Sequence, residues 1–206
     1  MRNPWLDIPL ADYEGHMAMP GIEQAQLLAD IFSGALDEYS PHSVAILGCA
    51  GGNGFERISS AIQRVVGIDI NHHFIAAAEA RFGGRFKHLE LIAGDIQNPE
   101  VSFAPVDLIF AGLIFEYVNV AAVIAKTPAM LTAAGKLVTV LQLPLDSDQQ
   151  VSPSPFARVQ TLGKIIRLVP PSLLQEAAES AGYAQLTSRE VASRGGKRFQ
   201  VQVFSK

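Results

Sequence analysis

Short apolar runs recur along the chain and alternate with segments in which apolar residues return every three or four positions. Five mostly apolar runs span residues 44–47, 64–70, 86–93, 106–112 and 133–143. Continuous runs of this kind are typical of parallel strands that are buried on both faces. Ahead of the first run, the apolar spacing over residues 21–39 predicts an amphipathic helix. The pattern predicts an α/β fold: a doubly wound, mostly parallel sheet with helices on both faces.

The last part of the chain departs from this alternation. Residues 183–191 and 198–204 have strand character and flank the turn Arg194-Gly195-Gly196, which predicts a hairpin. One strand of this hairpin must run antiparallel to its neighbour, so we expect a seven-stranded sheet with an antiparallel C-terminal hairpin strand. Residues 144–159, rich in proline and polar residues, predict a long loop or lid.

The first apolar run leads directly into a glycine-rich stretch, and together they read VAILGCAGGNGFERI over residues 44–58. The order predicts a strand, a turn and a helix over residues 53–63. Glycines in such a turn permit positive φ angles and let a ligand approach bare backbone. At the carboxyl edge of a parallel sheet this arrangement commonly forms a cofactor site. An ordinary glycine-rich turn is the alternative interpretation.

Composition and charge narrow the class of protein. The chain has 206 residues, of which 49% are hydrophobic and 17% charged, values typical of one globular domain. The net charge of −4, without a long basic stripe, argues against a nucleic-acid partner. Apolar runs are too short to span a membrane, and no targeting segment is visible. A single cysteine excludes an internal disulfide and indicates a cytoplasmic location.

Details of the glycine-rich stretch distinguish between classes of cofactor. A dinucleotide-binding G-x-G-x-x-G pattern fails at Ala50 and Asn53. The carboxylate of Glu56, expected in the first helical turn, would also oppose a bound pyrophosphate. A cofactor without phosphates fits better. Asp69, at the end of the second predicted strand, is placed to accept hydrogen bonds from ribose hydroxyls, but nicotinamide enzymes use an acid there too.

These residues resemble the motifs of class I S-adenosylmethionine-dependent methyltransferases from about Val44 to the C-terminus. The Gly48–Gly52 segment is similar to the family's G-x-G-x-G loop, with Ala50 in place of the middle glycine. Ile46 stands where the family usually has an acid. The resemblance implies that S-adenosylmethionine is the cofactor. It implies cofactor contacts from Gly48, Cys49, Ala50, Gly52, Asn53, Asp69, Ile70, Asp95, Ile96, Ala111 and Gly112.

Within that set, the resemblance implies distinct roles. Asp69 matches the ribose-binding acid, Asp95 the acid that contacts the adenine amino group, and Ile96 the apolar residue against the ring. The segment VDLIFAGLIFEYV over residues 106–118 resembles the fourth-strand motif beside the methionine moiety and the substrate. The thiol of Cys49 is expected to be buried behind the loop. Residues 44–206 are thus expected to form the methyltransferase domain, with residues 1–43 packed on it as an N-terminal lid segment and helix.

Methyl transfer is a direct displacement, so a catalytic base is needed only if the nucleophile must lose a proton. The candidate bases are Glu116, Tyr13 and His16, together with Tyr117. Tyr13 and His16 belong to residues 1–20, a segment with several large side chains that is expected either to close over the site as a lid or to plug the flank of the sheet.

The acceptor is less closely defined. The [DNS]-P-P-[YF] motif of enzymes that methylate nucleic-acid amines is missing at residues 111–114, which favours a small-molecule acceptor. His72 and His73 have no further ligand at suitable spacing, so no metal site is predicted. The sequence leaves a monomer and a homodimer open. It also leaves open a nicotinamide-dependent oxidoreductase, and a cofactor-binding protein that lacks catalysis or acts through a partner.

Overall fold

The computed structural model describes residues 3–144 and 150–206. Its strands are β1 (Ser43–Leu47), β2 (Arg64–Asp69), β3 (His88–Ala93), β4 (Val106–Gly112), β5 (Leu131–Gln142), β6 (Ala184–Ala192) and β7 (Arg198–Ser205). They form one seven-stranded sheet in the order β3-β2-β1-β4-β5-β7-β6. The first five strands are parallel, and β7 runs antiparallel to both of its neighbours. The predicted fold class is therefore confirmed.

Helices cover both faces of the sheet. They are α1 (Leu10–Ala18), α2 (Gln24–Tyr39), α3 (His72–Phe82), α4 (Val120–Lys126), α5 (Ala157–Gln160) and α6 (Pro171–Ser180). Alternate residues of β1 point to opposite cores: Ala45 and Leu47 lie in the core that includes α4 and α6, whereas Val44 and Ile46 lie in the core that includes α2. Burial on both faces explains why β1 is continuously apolar.

The prediction of a helix over residues 53–63 is wrong. The chain forms turns there, with a single 3₁₀ turn at Phe55–Arg57. Gly52 and Gly54 have φ angles of +96° and +82°, and such values end a right-handed helix before it can propagate. Phe55 then enters the core beside α2 and is fully buried.

Two segments lie over the carboxyl ends of the parallel strands, and we call them the cover: residues 3–18 and residues 150–166. The first contains a 3₁₀ turn, Pro4–Asp7, and α1, and the second contains α5. Asn71, which caps α3, donates its side-chain amide to the carbonyl of Trp5 (2.9 Å). Arg158 joins the two segments by donating to the carbonyl of Asp7 (2.8 Å).

Part of the predicted loop or lid after β5, residues 145–149, lies outside the described residues. Within residues 3–144 and 150–206, no helix combines the length and the apolar character needed to cross a bilayer.

Candidate active site

A deep cavity lies between the cover and the carboxyl ends of the parallel strands, the edge at which open α/β sheets bind ligands. Its empty volume is about 1110 Å³, including the part open to solvent. The residues that line it and that the sequence predicts as cofactor contacts are Gly48, Ala50, Asp69, Ile70, Asp95, Ile96 and Gly112. Tyr13, His16, Glu116 and Tyr117, the candidate bases, line the same cavity. The fold thus brings seven of the eleven predicted cofactor contacts and the four candidate bases to one cavity.

Asp69 ends β2 and holds the glycine-rich loop. Its Oδ2 accepts a hydrogen bond from the backbone N–H of Ala50 (2.9 Å), and its Oδ1 accepts one from the N–H of Asn71 (2.8 Å). The residue is 9% exposed. Burial raises the pKa of its carboxyl and the two N–H donors lower it, and the net value is about 6. Each carboxylate oxygen has a further lone pair, so both can accept another hydrogen bond from a ligand.

The loop itself carries backbone conformations that favour glycine. Ala50, at the position of the family's middle glycine, has a φ of +47°, a left-handed value that is costly for a residue with a Cβ. The hydrogen bond from its N–H to Asp69 holds it there. This bond ties the shape of the loop to the acid at the end of the neighbouring strand.

Four of the predicted cofactor contacts do not line the cavity: Cys49, Gly52, Asn53 and Ala111. Cys49 and Ala111 are fully buried in the two cores. A Cβ on Gly52 would lie 2.4 Å from the ring of Phe82, so this glycine is required by packing of the loop against α3. Asn53 donates its side-chain amide to the hydroxyl of Tyr13 (3.3 Å), so it contacts the cover.

Asp95 and Ile96 follow β3 at one end of the cavity. Asp95 accepts a hydrogen bond from the backbone N–H of Gln97 (2.9 Å), while Ile96 is 3% exposed. The ammonium of Lys126 donates to the carbonyls of Ile96, Asn98 and Val101. These bonds fix the backbone that presents Asp95 and Ile96 to the cavity.

Glu116 lies in the 3₁₀ turn after β4 and is 2% exposed. Its Oε1 accepts a hydrogen bond from the backbone N–H of Gln142 (2.7 Å). Its Oε2 is buried and has no hydrogen-bond partner within residues 3–144 and 150–206. Burial raises the pKa of this carboxyl to about 7. A buried carboxylate oxygen without a partner is costly, and such groups are often functional.

Aromatic rings close the cavity on the side of the cover. Trp5 makes edge contacts with Tyr13 and Tyr117 at centroid distances of 5.7 and 5.1 Å. Tyr13 also packs on Phe74 of α3 at 5.8 Å. Burial raises the pKa of both tyrosines above the ordinary value. Their hydroxyls are therefore protonated at neutral pH, and they can donate hydrogen bonds but cannot act as strong bases.

The end of the cavity near Glu116 is polar. His16 is 4% exposed, and its Nδ1 lies 2.9 Å from the hydroxyl of Ser154 in the other part of the cover. Burial, with the nearby charge of Lys197, lowers the pKa of His16 to about 4, so it is neutral. Lys197, 5% exposed, donates from Nζ to the side-chain carbonyl of Gln142 (3.2 Å) and to the backbone carbonyl of Gln150 (2.9 Å).

Sequence reasoning missed several of these residues. Lys197 belongs to the turn of the C-terminal hairpin, and nothing in its neighbourhood marks it. Gln142 carries a usable signal, since it is a polar residue at the end of a mostly apolar strand. The described residues contain no group of three or more His, Cys, Asp or Glu side chains placed to hold a metal ion.

Comparison with known proteins gives a family match. Residues 44–135 match a family model described as a methyltransferase domain. A comparison with curated protein sequences finds no significant match.

Solved structures with the same fold include the N-methyltransferase NodS from Bradyrhizobium japonicum in complex with S-adenosyl-L-homocysteine. It has 17% sequence identity and a TM-score of 0.74, with 100% of this chain and 99% of that chain covered. Magnesium protoporphyrin IX methyltransferase from Synechocystis, also with S-adenosylhomocysteine bound, has 10% identity and a TM-score of 0.71 over 95% and 93% of the two chains. The [4+2]-cyclase SpnF is similar as well, with 16% identity and a TM-score of 0.66 over 86% and 81%.

Residues 44–135 match a methyltransferase domain, and the whole chain has the fold of class I S-adenosylmethionine-dependent methyltransferases. The family match and the neighbours that contain S-adenosylhomocysteine support S-adenosylmethionine as the cofactor. The cavity fits such a group: it is large, and it presents the buried acid Asp69 beside the glycine-rich loop.

Proposed function

We propose that this protein transfers the methyl group of S-adenosylmethionine to an oxygen or nitrogen nucleophile of a small-molecule acceptor. A carbon nucleophile is the third possibility predicted from sequence. It has less support, because Oε2 of Glu116 is suited to accept a proton from an O–H or N–H group. The observation that carries the proposal is the unpartnered Oε2 of Glu116, in the same cavity as Asp69 and the glycine-rich loop.

The residues that we propose to hold the cofactor lie along one side of the cavity. Asp69 accepts hydrogen bonds from the ribose hydroxyls, Asp95 contacts the adenine amino group, and Ile96 lies against the ring. Gly48, Ala50, Ile70 and Gly112 border the remainder. When bound, S-adenosylmethionine would supply an activated methyl group. A lone pair of the acceptor would attack the methyl carbon, and the electron pair of the broken carbon–sulfur bond would stay on sulfur.

Glu116 is the catalytic base in this proposal. A catalytic base works best when its pKa lies near the working pH. Burial raises the pKa of Glu116 to about 7. The other candidates suit the role less well. Tyr13 and Tyr117 have raised pKa values and remain protonated. His16, whose pKa is lowered to about 4, is too weak a base.

The cover excludes water from the reacting groups. Trp5, Tyr13 and Tyr117 pack edge to face over the cavity, and α1 meets the second part of the cover where a Cβ on Gly15 would lie 2.5 Å from the ring of Phe156. Such closure favours displacement by the acceptor over side reactions with water. We propose that residues 3–18 act as a lid that opens to admit cofactor and acceptor.

The test is formation of S-adenosylhomocysteine when the protein and S-adenosylmethionine are incubated with a panel of hydroxyl- and amine-bearing metabolites. The expected result is turnover with at least one acceptor, and loss of that turnover in Glu116→Gln. Binding of S-adenosylmethionine without turnover across the panel would favour a cofactor-binding protein without catalysis. Protection by NAD(P)H in place of S-adenosylmethionine in a thermal-shift assay would favour an oxidoreductase.

A further inference from the structure

We propose that the methyl acceptor is a carboxylic acid that also carries a hydroxyl or amino group, and that Lys197 binds its carboxylate. This inference rests on the proposed function, because it specifies the acceptor of the same site. It concerns the polar end of the cavity, which we define by Glu116, Gln142 and Lys197.

Lys197 is a buried cation with neutral partners. Lys197 lines the cavity, and its Nζ donates to two carbonyl oxygens, those of the Gln142 side chain and the Gln150 backbone. An ammonium has three N–H donors, and the described residues accept from two of them, which leaves one for a ligand. Among the ion pairs of the described residues, none includes Lys197.

A buried ammonium without a counterion is unfavourable. Burial accordingly lowers the pKa of Lys197, but only to about 8, so most of the population stays charged at neutral pH. Neither titratable neighbour is a counterion among the described residues: His16 is neutral, and no ion pair joins Glu116 to Lys197. A ligand carboxylate at this position would supply the missing charge and accept the remaining N–H.

Glu116 and Lys197 both hydrogen-bond to Gln142. The backbone N–H of Gln142 donates to Oε1 of Glu116, and the side-chain carbonyl of Gln142 accepts from Lys197. Among the described residues, Oε2 of Glu116 has no hydrogen-bond partner, and Nζ of Lys197 donates to two acceptors and has a third N–H left. A molecule that fills both positions needs an anionic group for the lysine and an O–H or N–H for the glutamate.

The surrounding walls are apolar. Val151, Val159, Leu162 and Ile166 line the cavity from the second part of the cover. Apolar walls around a few polar groups are the usual design of a small-molecule site, with the polar groups setting orientation. They favour an acceptor whose carboxylate and nucleophile are joined by an aromatic or aliphatic body.

Matched acid and amide pairs test the proposal. The probes are 4-hydroxybenzoate with 4-hydroxybenzamide, 2-aminobenzoate with 2-aminobenzamide, and 2-hydroxy-4-methylpentanoate with its amide. Each is titrated into the protein saturated with S-adenosylhomocysteine, and binding is measured by calorimetry and by saturation-transfer NMR. We expect at least one acid to bind about ten- to hundredfold more tightly than its amide, the range for a hydrogen-bonded charge.

Variants assign the preference to Lys197. Lys197→Met should abolish the preference for acids, Lys197→Arg should keep most of it, and the exposed Lys87→Met should leave it unchanged. Cooperative thermal unfolding checks that each variant is folded, and the acid-to-amide ratio of the wild-type protein decides the proposal if Lys197→Met fails to fold.

Equal binding of acids and amides, or an unchanged preference in folded Lys197→Met, would overturn the inference. Failure of every acid to bind the S-adenosylhomocysteine complex would also overturn it. Failure of the proposed function looks different: S-adenosylhomocysteine itself would not bind, or an acid would bind selectively and yet no S-adenosylmethionine would be consumed.

Discussion

Replacing Glu116 with glutamine should make the protein more stable and less active. Glutamine has nearly the shape of the protonated carboxyl and can still accept the hydrogen bond from the backbone N–H of Gln142. It lacks the negative charge that burial disfavours. Active-site groups that are costly to the fold commonly show this opposition between stability and activity.

The magnitude follows from the pKa. A carboxyl whose pKa rises from 4.5 in the unfolded chain to about 7 in the fold loses up to about 3 kcal/mol of stability on full ionisation. The loss grows as the pH rises from about 4.5 to about 7, because the unfolded chain releases the proton first. Glu116→Gln has no ionisable group at this position and does not suffer this loss. Its free energy of unfolding should therefore exceed that of the wild type by about 3 kcal/mol at pH 8 and by less than about 1 kcal/mol at pH 5.

Urea unfolding at pH 5 and pH 8 measures the difference in stability, and S-adenosylhomocysteine formation measures activity. Loss of a general base should lower kcat by roughly 10²- to 10⁴-fold. The exposed Glu100→Gln serves as the control and should change neither quantity. A Glu116→Gln protein with full activity would refute the assignment of the base, and a stability gain that is equal at pH 5 and pH 8 would refute the electrostatic reasoning.

Three further predictions concern the cofactor side of the cavity and the cover. Asp69→Ala should raise the dissociation constant of S-adenosylmethionine about ten- to hundredfold in calorimetry; an unchanged constant in a cooperatively unfolding protein would contradict the ribose assignment. Gly52→Ala should lower the free energy of unfolding by about 1–3 kcal/mol in urea, because φ is +96° and the ring of Phe82 occupies the Cβ position. The control Gly84→Ala should not lower it, because nothing lies within 4 Å of its Cβ. Hydrogen exchange over residues 10–18 should slow on addition of S-adenosylhomocysteine; equal protection without it would mean fixed packing in place of a lid.

Much of the fold could be predicted because its determinants are local. Strands such as β1 and β4 are continuous apolar runs that only a doubly covered parallel sheet accommodates. The hairpin turn at 194–196 fixes the antiparallel direction of β7 against β6. The acid at the end of β2 is likewise marked by its position in the sequence alone, directly after an apolar strand.

The parts that were not predictable depend on tertiary contacts. The helix expected after the glycine-rich stretch is replaced by turns because Gly52 must pack on Phe82 and Phe55 must enter the core. The polar end of the cavity exists only because the sheet order puts β7 beside β5. That order brings Lys197 to Gln142, which lies 55 positions away in the chain. No local sequence pattern predicts this contact.

A crystal structure of the complex with S-adenosylhomocysteine tests the central claim most directly. The account predicts ribose oxygens within hydrogen-bond distance of the Asp69 carboxylate, adenine between Asp95 and Ile96, and the sulfur directed toward the end of the cavity that holds Glu116 and Lys197. A ligand bound outside this cavity, or one whose sulfur points away from Glu116, would contradict the account.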